Sequence, residues 1–189
     1  MNYKLNMLLL ALSLQISQVT HAQIANGIWS TKCINSQQKI QIYRSSHVVS
    51  IEKFYSDSQC LDESIRFQTT GSINYSHENI SFIDFEYKEI QVIPFKQNII
   101  DDFNTRKVCG FSQWKPGEAQ NITGLRCAIF NLYKETQIPQ LGDRKYGIYL
   151  IENAKLYYGQ LTKTLDGSSS EKRPNQINTS IEYIFRSSP

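Results

Sequence analysis

Apolar and polar residues alternate with a period of two through most of this chain, and that rhythm constrains its fold more than anything else in it. In residues 39–44 Ile40 and Ile42 flank Gln41, and in residues 48–55 Val49 and Ile51 share one face. A period of two puts successive side chains on opposite faces of an extended strand, so these runs, joined at Ser45-Ser46, read as a hairpin. Further strands are expected at 28–31, 65–73, 125–133, 146–151, 156–161 and 180–185, with a turn at Glu152-Asn153-Ala154-Lys155 and an interruption at Gly71. In residues 81–95 Ile83, Phe85 and Tyr87 keep one parity whereas Ile90 and Val92 take the other. That slip predicts a β-bulge near Lys88-Glu89, and Pro94 marks the strand's end or an exposed edge. No stretch carries an i, i+3, i+4, i+7 apolar stripe of helical length. The expected fold is therefore all-β, with about eight to ten antiparallel strands in a closed or nearly closed barrel.

Regularity fails over residues 98–122, where Asp101-Asp102 and Lys115-Pro116-Gly117 interrupt any pattern. A long loop is expected there, packed down by Trp114 and tied by Cys109. The chain has four cysteines, Cys33, Cys60, Cys109 and Cys127. Three pairings are possible, and closeness in sequence favours Cys33 with Cys60 and Cys109 with Cys127. Zinc is the rival reading, but no two cysteines stand at C-x2-C or C-x4-C spacing. Disulfides in turn require an oxidising compartment. Lys4, an apolar run over residues 7–14 and Thr20-His21-Ala22 have the form of a secretory signal peptide cleaved before Gln23. Residues 23–189 are then expected to form one domain in a secreted or periplasmic protein. No later stretch is apolar for long enough to be a transmembrane helix.

Charge and motifs exclude several functions. With 20 Lys+Arg against 17 Asp+Glu, and only the isolated pairs Arg106-Lys107 and Lys172-Arg173, there is no basic stripe for nucleic acid. Neither G-x-S-x-G nor H-E-x-x-H occurs, and no nucleotide-binding fingerprint is present. His47 falls in a hairpin turn and His77 in a loop, both read as solvent-exposed. Asp84 and Glu86 share one strand face, which reads as a polar outer surface before it reads as an acid/base pair. No catalytic residue, metal ligand or cofactor site is assigned, and the chain is read as a non-enzyme. Sequons at Asn74, Asn79, Asn121 and Asn178 matter only in a eukaryotic secretory pathway. The short leader and the Ile, Asn and Lys bias point instead to a bacterial exported protein.

The aromatic residues carry the binding question. Tyr43, Phe67, Phe82, Phe85, Tyr149 and Tyr158, together with Trp29, either line a ligand pocket or fill the core, and side chains alone can fill an eight-stranded barrel. Gly27-Ile28-Trp29 is similar to the G-x-W opening of lipocalins, whose tryptophan closes one barrel end. A longer series of landmarks follows: Trp29 before Cys33, Phe54-Tyr55-Ser56-Asp57 before Cys60, Cys109-Gly110 before Trp114, and Asn121-Ile122-Thr123-Gly124 before Cys127. The last is Tyr158-Gly159-Gln160 with Asp166-Gly167-Ser168-Ser169 and Lys172-Arg173-Pro174. In this order they resemble the domain of the adenomatosis polyposis coli down-regulated family, animal antagonists of Wnt signalling, over nearly all of residues 27–185. Ser170 stands where a proline commonly follows Asp-Gly-Ser-Ser.

The resemblance implies a lipocalin-like barrel outside the cytoplasm, able to take an acyl chain or other apolar ligand, free or carried by a lipidated protein. It marks the aromatic residues above as pocket candidates. Gly159, Asp166, Gly167, Ser168, Ser169, Arg173 and Pro174 become a motif loop at the rim. The alternative is a protein-interaction module with a solid barrel, whose long loops, including the one around Trp114 and the segment from Asp166 to Pro174, make the contacts; an exposed Trp114 would favour it.

Overall fold

The computed structural model describes residues 23–77, 81–129 and 134–188. The leader expected at residues 1–22, the sequon at Asn79 and the last part of the strand expected at 125–133 lie outside these residues. The main strands are β1 (Gly27–Ser30), β2 (Gln37–Arg44), β3 (His47–Tyr55), β4 (Glu63–His77) and β5 (Ser81–Pro94). After them come a helix α1 (Gln97–Arg106) and three two-residue strands, β6 (Gln120–Asn121), β7 (Arg126–Cys127) and β8 (Thr136–Gln137). The chain closes with β9 (Arg144–Glu152), β10 (Lys155–Tyr158) and β11 (Tyr183–Ser187). Eight strands run in the order β4-β3-β2-β1-β11-β10-β9-β5, every pairing is antiparallel, and β5 pairs back onto β4. The sheet is thus a closed barrel, which removes the exposed edges an open sheet would carry.

The parity slip in β5 has the cause expected of it. Thr70 of β4 stands opposite Glu89 and Gly71 opposite Tyr87, so Lys88 is an extra residue without a partner. The bulge rotates the strand by one position and returns Ile90 and Val92 to the face of Ile83 and Phe85. Gly71 is required here, since a Cβ would lie 2.4 Å from the Glu86 carbonyl oxygen and 2.4 Å from the Phe85 ring. A side chain at that point would push the two strands apart. The hairpin expected over 39–55 also forms, with Tyr43 opposite Val48 and Arg44 opposite His47.

Two hydrophobic clusters share the inner face. One, within the barrel, gathers Trp29, Tyr43, Ile73, Tyr149, Leu156 and Tyr183. The other lies toward the far ends of β4 and β5, where Ile65, Ile90 and Val92 are covered by Ile100 and Phe103 of α1 and by Val108, Trp114 and Ile122. Both cysteine pairings favoured by sequence closeness are present, Cys33–Cys60 and Cys109–Cys127. The second joins the segment after α1 to β7.

Helix α1 corrects the sequence reading, which expected an irregular loop over 98–122. Its apolar stripe is only Ile99, Ile100 and Phe103, too short to repeat. The Lys96 N-cap makes no side-chain hydrogen bond, and the left-handed C-cap position is Lys107, at φ 51°, instead of the usual Gly or Asn. A ten-residue helix with neither cap signal is held by burial against its neighbours, not by intrinsic propensity. The rest of the segment packs as expected: Asn104 and Trp114 exchange two hydrogen bonds, Nδ2 to the Trp114 carbonyl at 3.1 Å and the Trp114 N–H to Oδ1 at 2.7 Å. The strands expected at 125–133, 156–161 and 180–185 are also corrected, to Arg126–Cys127, Lys155–Tyr158 and Tyr183–Ser187.

Candidate functional site

Between the two clusters the barrel wall lines an open-mouthed cavity of about 280 Å3, just under the ~300–1,000 Å3 of typical small-molecule pockets. Its position follows from the inward parity of the strands. Across β2, β3 and β4 the same-face partners are Gln41 with Ser50, and Ser50 with Thr69, a polar row flanked by Tyr43 and Val48 on one side and by Lys39, Glu52 and the Phe67 ring on the other. These three small or neutral groups cannot fill the space that rings fill on either side. All three line the cavity, with Tyr43, Phe85 and Tyr158 among the apolar walls. Gly159, Leu161 and Pro174 complete another part of the lining. Leu161 is 54% exposed, which locates the edge where the lining meets solvent.

Three of the seven aromatic pocket candidates therefore line the cavity, and four do not. Trp29 is buried in the barrel cluster, donating from Nε1 to the Ala25 carbonyl at 3.1 Å and meeting Phe185 edge-on at 5.3 Å. Tyr149 is buried against Tyr75, ring centres 5.7 Å apart. Phe67 packs edge-on with Phe54 at 5.7 Å in the second cluster. Phe82 is corrected more fundamentally, because it has the parity opposite to Ile83 and Phe85 and lies on the outer face beneath Arg173. Sequence reasoning missed Gln41, Ser50 and Thr69. The signal was available in the alternation itself, which puts them in phase with Tyr43, Val48 and Ile73.

Tyrosine chemistry dominates the cavity wall. The Tyr43 and Tyr158 hydroxyls hydrogen-bond each other, and Tyr158 meets Tyr183 edge-on at 5.1 Å. Gln41 hydrogen-bonds Tyr183 and donates from Nε2 to Ser50 Oγ at 2.8 Å. Burial pushes the phenol pKa values of Tyr43, Tyr158 and Tyr183 above the usual tyrosine range, because a phenolate there would lose its hydration.

The motif segment is a strap across the outside of β5 and β9. The Arg173 guanidinium lies 4.2 Å from the Phe82 ring centre and 5.4 Å from that of Tyr146. Its Nη1 donates to the Gly147 carbonyl at 2.7 Å and stands 2.7 Å from Asp84 Oδ1. Gly167, at φ 70°, accepts from the Tyr146 N–H and donates to the Lys172 carbonyl, each at 2.8 Å. A Cβ on Gly167 would meet the Tyr146 carbonyl oxygen at 2.5 Å, so the strap lies flush on β9. Asp166 Oδ1 accepts from the Ser168 N–H at 3.0 Å, and the Asp166 carbonyl accepts from Lys145 Nζ. Hydrogen bonds from Ser169, its own N–H and Ser170 hold the exposed Glu171 carboxyl down to about 2. Pro174 is buried on Gly159, where a Cβ would come within 2.7 Å of the proline ring.

Asp84 and Glu86 are thus the polar outer face that the sequence suggested. Asp84 pairs with Arg173, and Glu86 with Lys88 and Arg144. His47 is exposed at the start of β3. Among the described residues no cluster of His, Cys, Asp and Glu could hold a metal, and no helix is long and apolar enough to cross a membrane. Trp114 is 2% exposed at the centre of the second cluster and presents no surface to a partner.

Arg173→Ala removes both ring contacts and leaves the partly buried Asp84 carboxylate without its cation. A loss of about 2–3 kcal/mol is expected from denaturant unfolding, and adding Asp84→Asn should restore part of it. Equal stability of Arg173→Ala and wild type would show that the strap is not anchored there.

The fold and site define a closed, disulfide-stapled antiparallel β-barrel with an internal cavity and an outer strap. No known family model matches the chain, and no curated protein is a significant match to it.

Proposed function

We propose that this protein is a non-enzymatic binding module that takes an acyl chain or other apolar ligand into the barrel cavity, outside the cytoplasm. The cavity carries the reading: it is walled by the barrel strands, apolar over most of its lining, and opens to solvent beside Leu161. Two disulfides support an oxidising home. The resemblance to the Wnt-antagonist domain supports a ligand with an acyl chain, and the strap gives that motif a physical role as a rigid rim.

Each buried methylene contributes about 0.8 kcal/mol, and association costs several kcal/mol. A cavity of this size therefore predicts micromolar or weaker binding of a single chain. Displacement of a fluorescent fatty acid by medium-chain acids, whose chains enter while their carboxylates stay in solvent at the Leu161 edge, should be saturable. Thr69→Phe, which fills the cavity, should weaken it at least tenfold in protein that keeps its wild-type circular dichroism. If the fluorescent acid does not bind, or Thr69→Phe binds it as wild type does, the cavity is not the site.

A further inference from the structure

We infer that the cavity selects an uncharged, oxygen-bearing apolar molecule, whose hydrogen-bond acceptor docks on the hydroxyls of Ser50, Thr69 and the Tyr43–Tyr158 pair. This inference rests on the cavity-binding reading and narrows its ligand class.

Proton counting on the lining leads there. Ser50 Oγ accepts from Gln41 Nε2 at 2.8 Å, which leaves the Ser50 proton to donate. Tyr43 and Tyr158 have two hydroxyl protons between them and share one contact, so one proton remains. Thr69 adds a third donor to the same lining. At least three donors thus face one small space. A hydrocarbon end set against them strips them of water without replacing its hydrogen bonds, which costs binding for each group left unsatisfied. A carbonyl, ether or hydroxyl oxygen replaces those bonds.

Charge narrows the class further. Among the described residues Lys145 is the one cation in the lining, and its ammonium is engaged by the Asp166 carbonyl on the strap. On β2 and β3 it is across the barrel from the β9 and β10 wall that the polar row stands, since the strand order separates the two pairs by half the circuit. The next pair on that face, Lys39 and Glu52, satisfies itself at 2.8 Å. An anion docked on the hydroxyls would therefore be buried without a counter-ion, which is costly. The ligand oxygen that fits is neutral.

The test compares 1-tetralone with tetralin, which differ by one carbonyl in place of a methylene, and with tetralin-1-carboxylate, by calorimetry on the whole oxidised protein. Hydrophobicity alone favours tetralin. The inference expects 1-tetralone to bind about tenfold more tightly than tetralin and the carboxylate to bind most weakly. Ser50→Ala combined with Thr69→Val should abolish the preference while tetralin still binds. Thr69→Ser alone should keep it, which separates loss of a hydroxyl from loss of shape. Tetralin binding as tightly as tetralone, or the carboxylate binding best, overturns the inference and leaves the cavity reading standing. Failure of every probe and of the fluorescent fatty acid overturns both.

Discussion

Raising the pH from about 9 to about 11 should cost this barrel about 4 kcal/mol of stability, through Tyr43, Tyr158 and Tyr183 alone. All three phenols have folded-state pKa values raised above 10.0 by burial. A raised phenol pKa means that the folded state holds its proton where the unfolded chain releases it. The stabilisation is complete below the unfolded value and declines as pH climbs past it, by about 1.4 kcal/mol per pH unit for each group. Denaturant midpoints across that range measure the slope. Tyr43→Phe removes one of these groups and should reduce the loss over that range by about 1.4 kcal/mol, while Tyr75, whose phenol pKa burial also raises, keeps contributing. Phenolate absorbance from these residues should appear only together with unfolding. Full ionisation of the tyrosines in protein that retains its native near-ultraviolet circular dichroism would sink the prediction.

The same cluster shows what the sequence could and could not disclose. Alternation announced the strands, and the parity change between Tyr87 and Ile90 announced the bulge that the register places at Lys88. These features were legible because a strand's side-chain period is a local property. Helix α1 was hidden for the opposite reason. Its formation depends on Ile100 and Phe103 meeting Trp114 and the ends of β4 and β5, contacts that no short window of sequence contains. The cavity was half legible. Parity alone separates Phe85 from Phe82 and puts Gln41, Ser50 and Thr69 inside. Whether three polar side chains leave a space depends on the spacing of the two clusters, which is a property of the closed barrel.

Arg173 was visible only as part of a motif. Its partners, Phe82, Asp84, Tyr146 and Gly147, come from two strands far from it in sequence. The strap's job is equally non-local. By burying Pro174 on Gly159 beside the cavity, it couples the outer surface of β9 to the lining. The motif residues accordingly act through backbone fit and one anchored cation, with the serines spent on local turns.

Trp114→Ala should destabilise the protein by about 3–5 kcal/mol, the range for truncating a buried tryptophan. The indole is almost fully buried, meets Phe103 and Phe111 edge-on at 5.1 and 5.6 Å, and donates from Nε1 to the Val108 carbonyl at 3.4 Å. Removing it leaves a void under α1 that the Cys109–Cys127 bridge keeps from collapsing freely, since that bridge fixes one side of the cluster. The cavity should be spared, because neither Trp114 nor any residue of α1 lines it. Urea unfolding gives the stability, and fluorescent fatty acid affinity in the folded variant gives the function. A stability loss below about 1 kcal/mol would mean that the second cluster closes around the void. Loss of ligand affinity in folded Trp114→Ala would mean that the two clusters are not separable. The two ends of the barrel would then set the cavity together through β4 and β5, which pass from one to the other without a break.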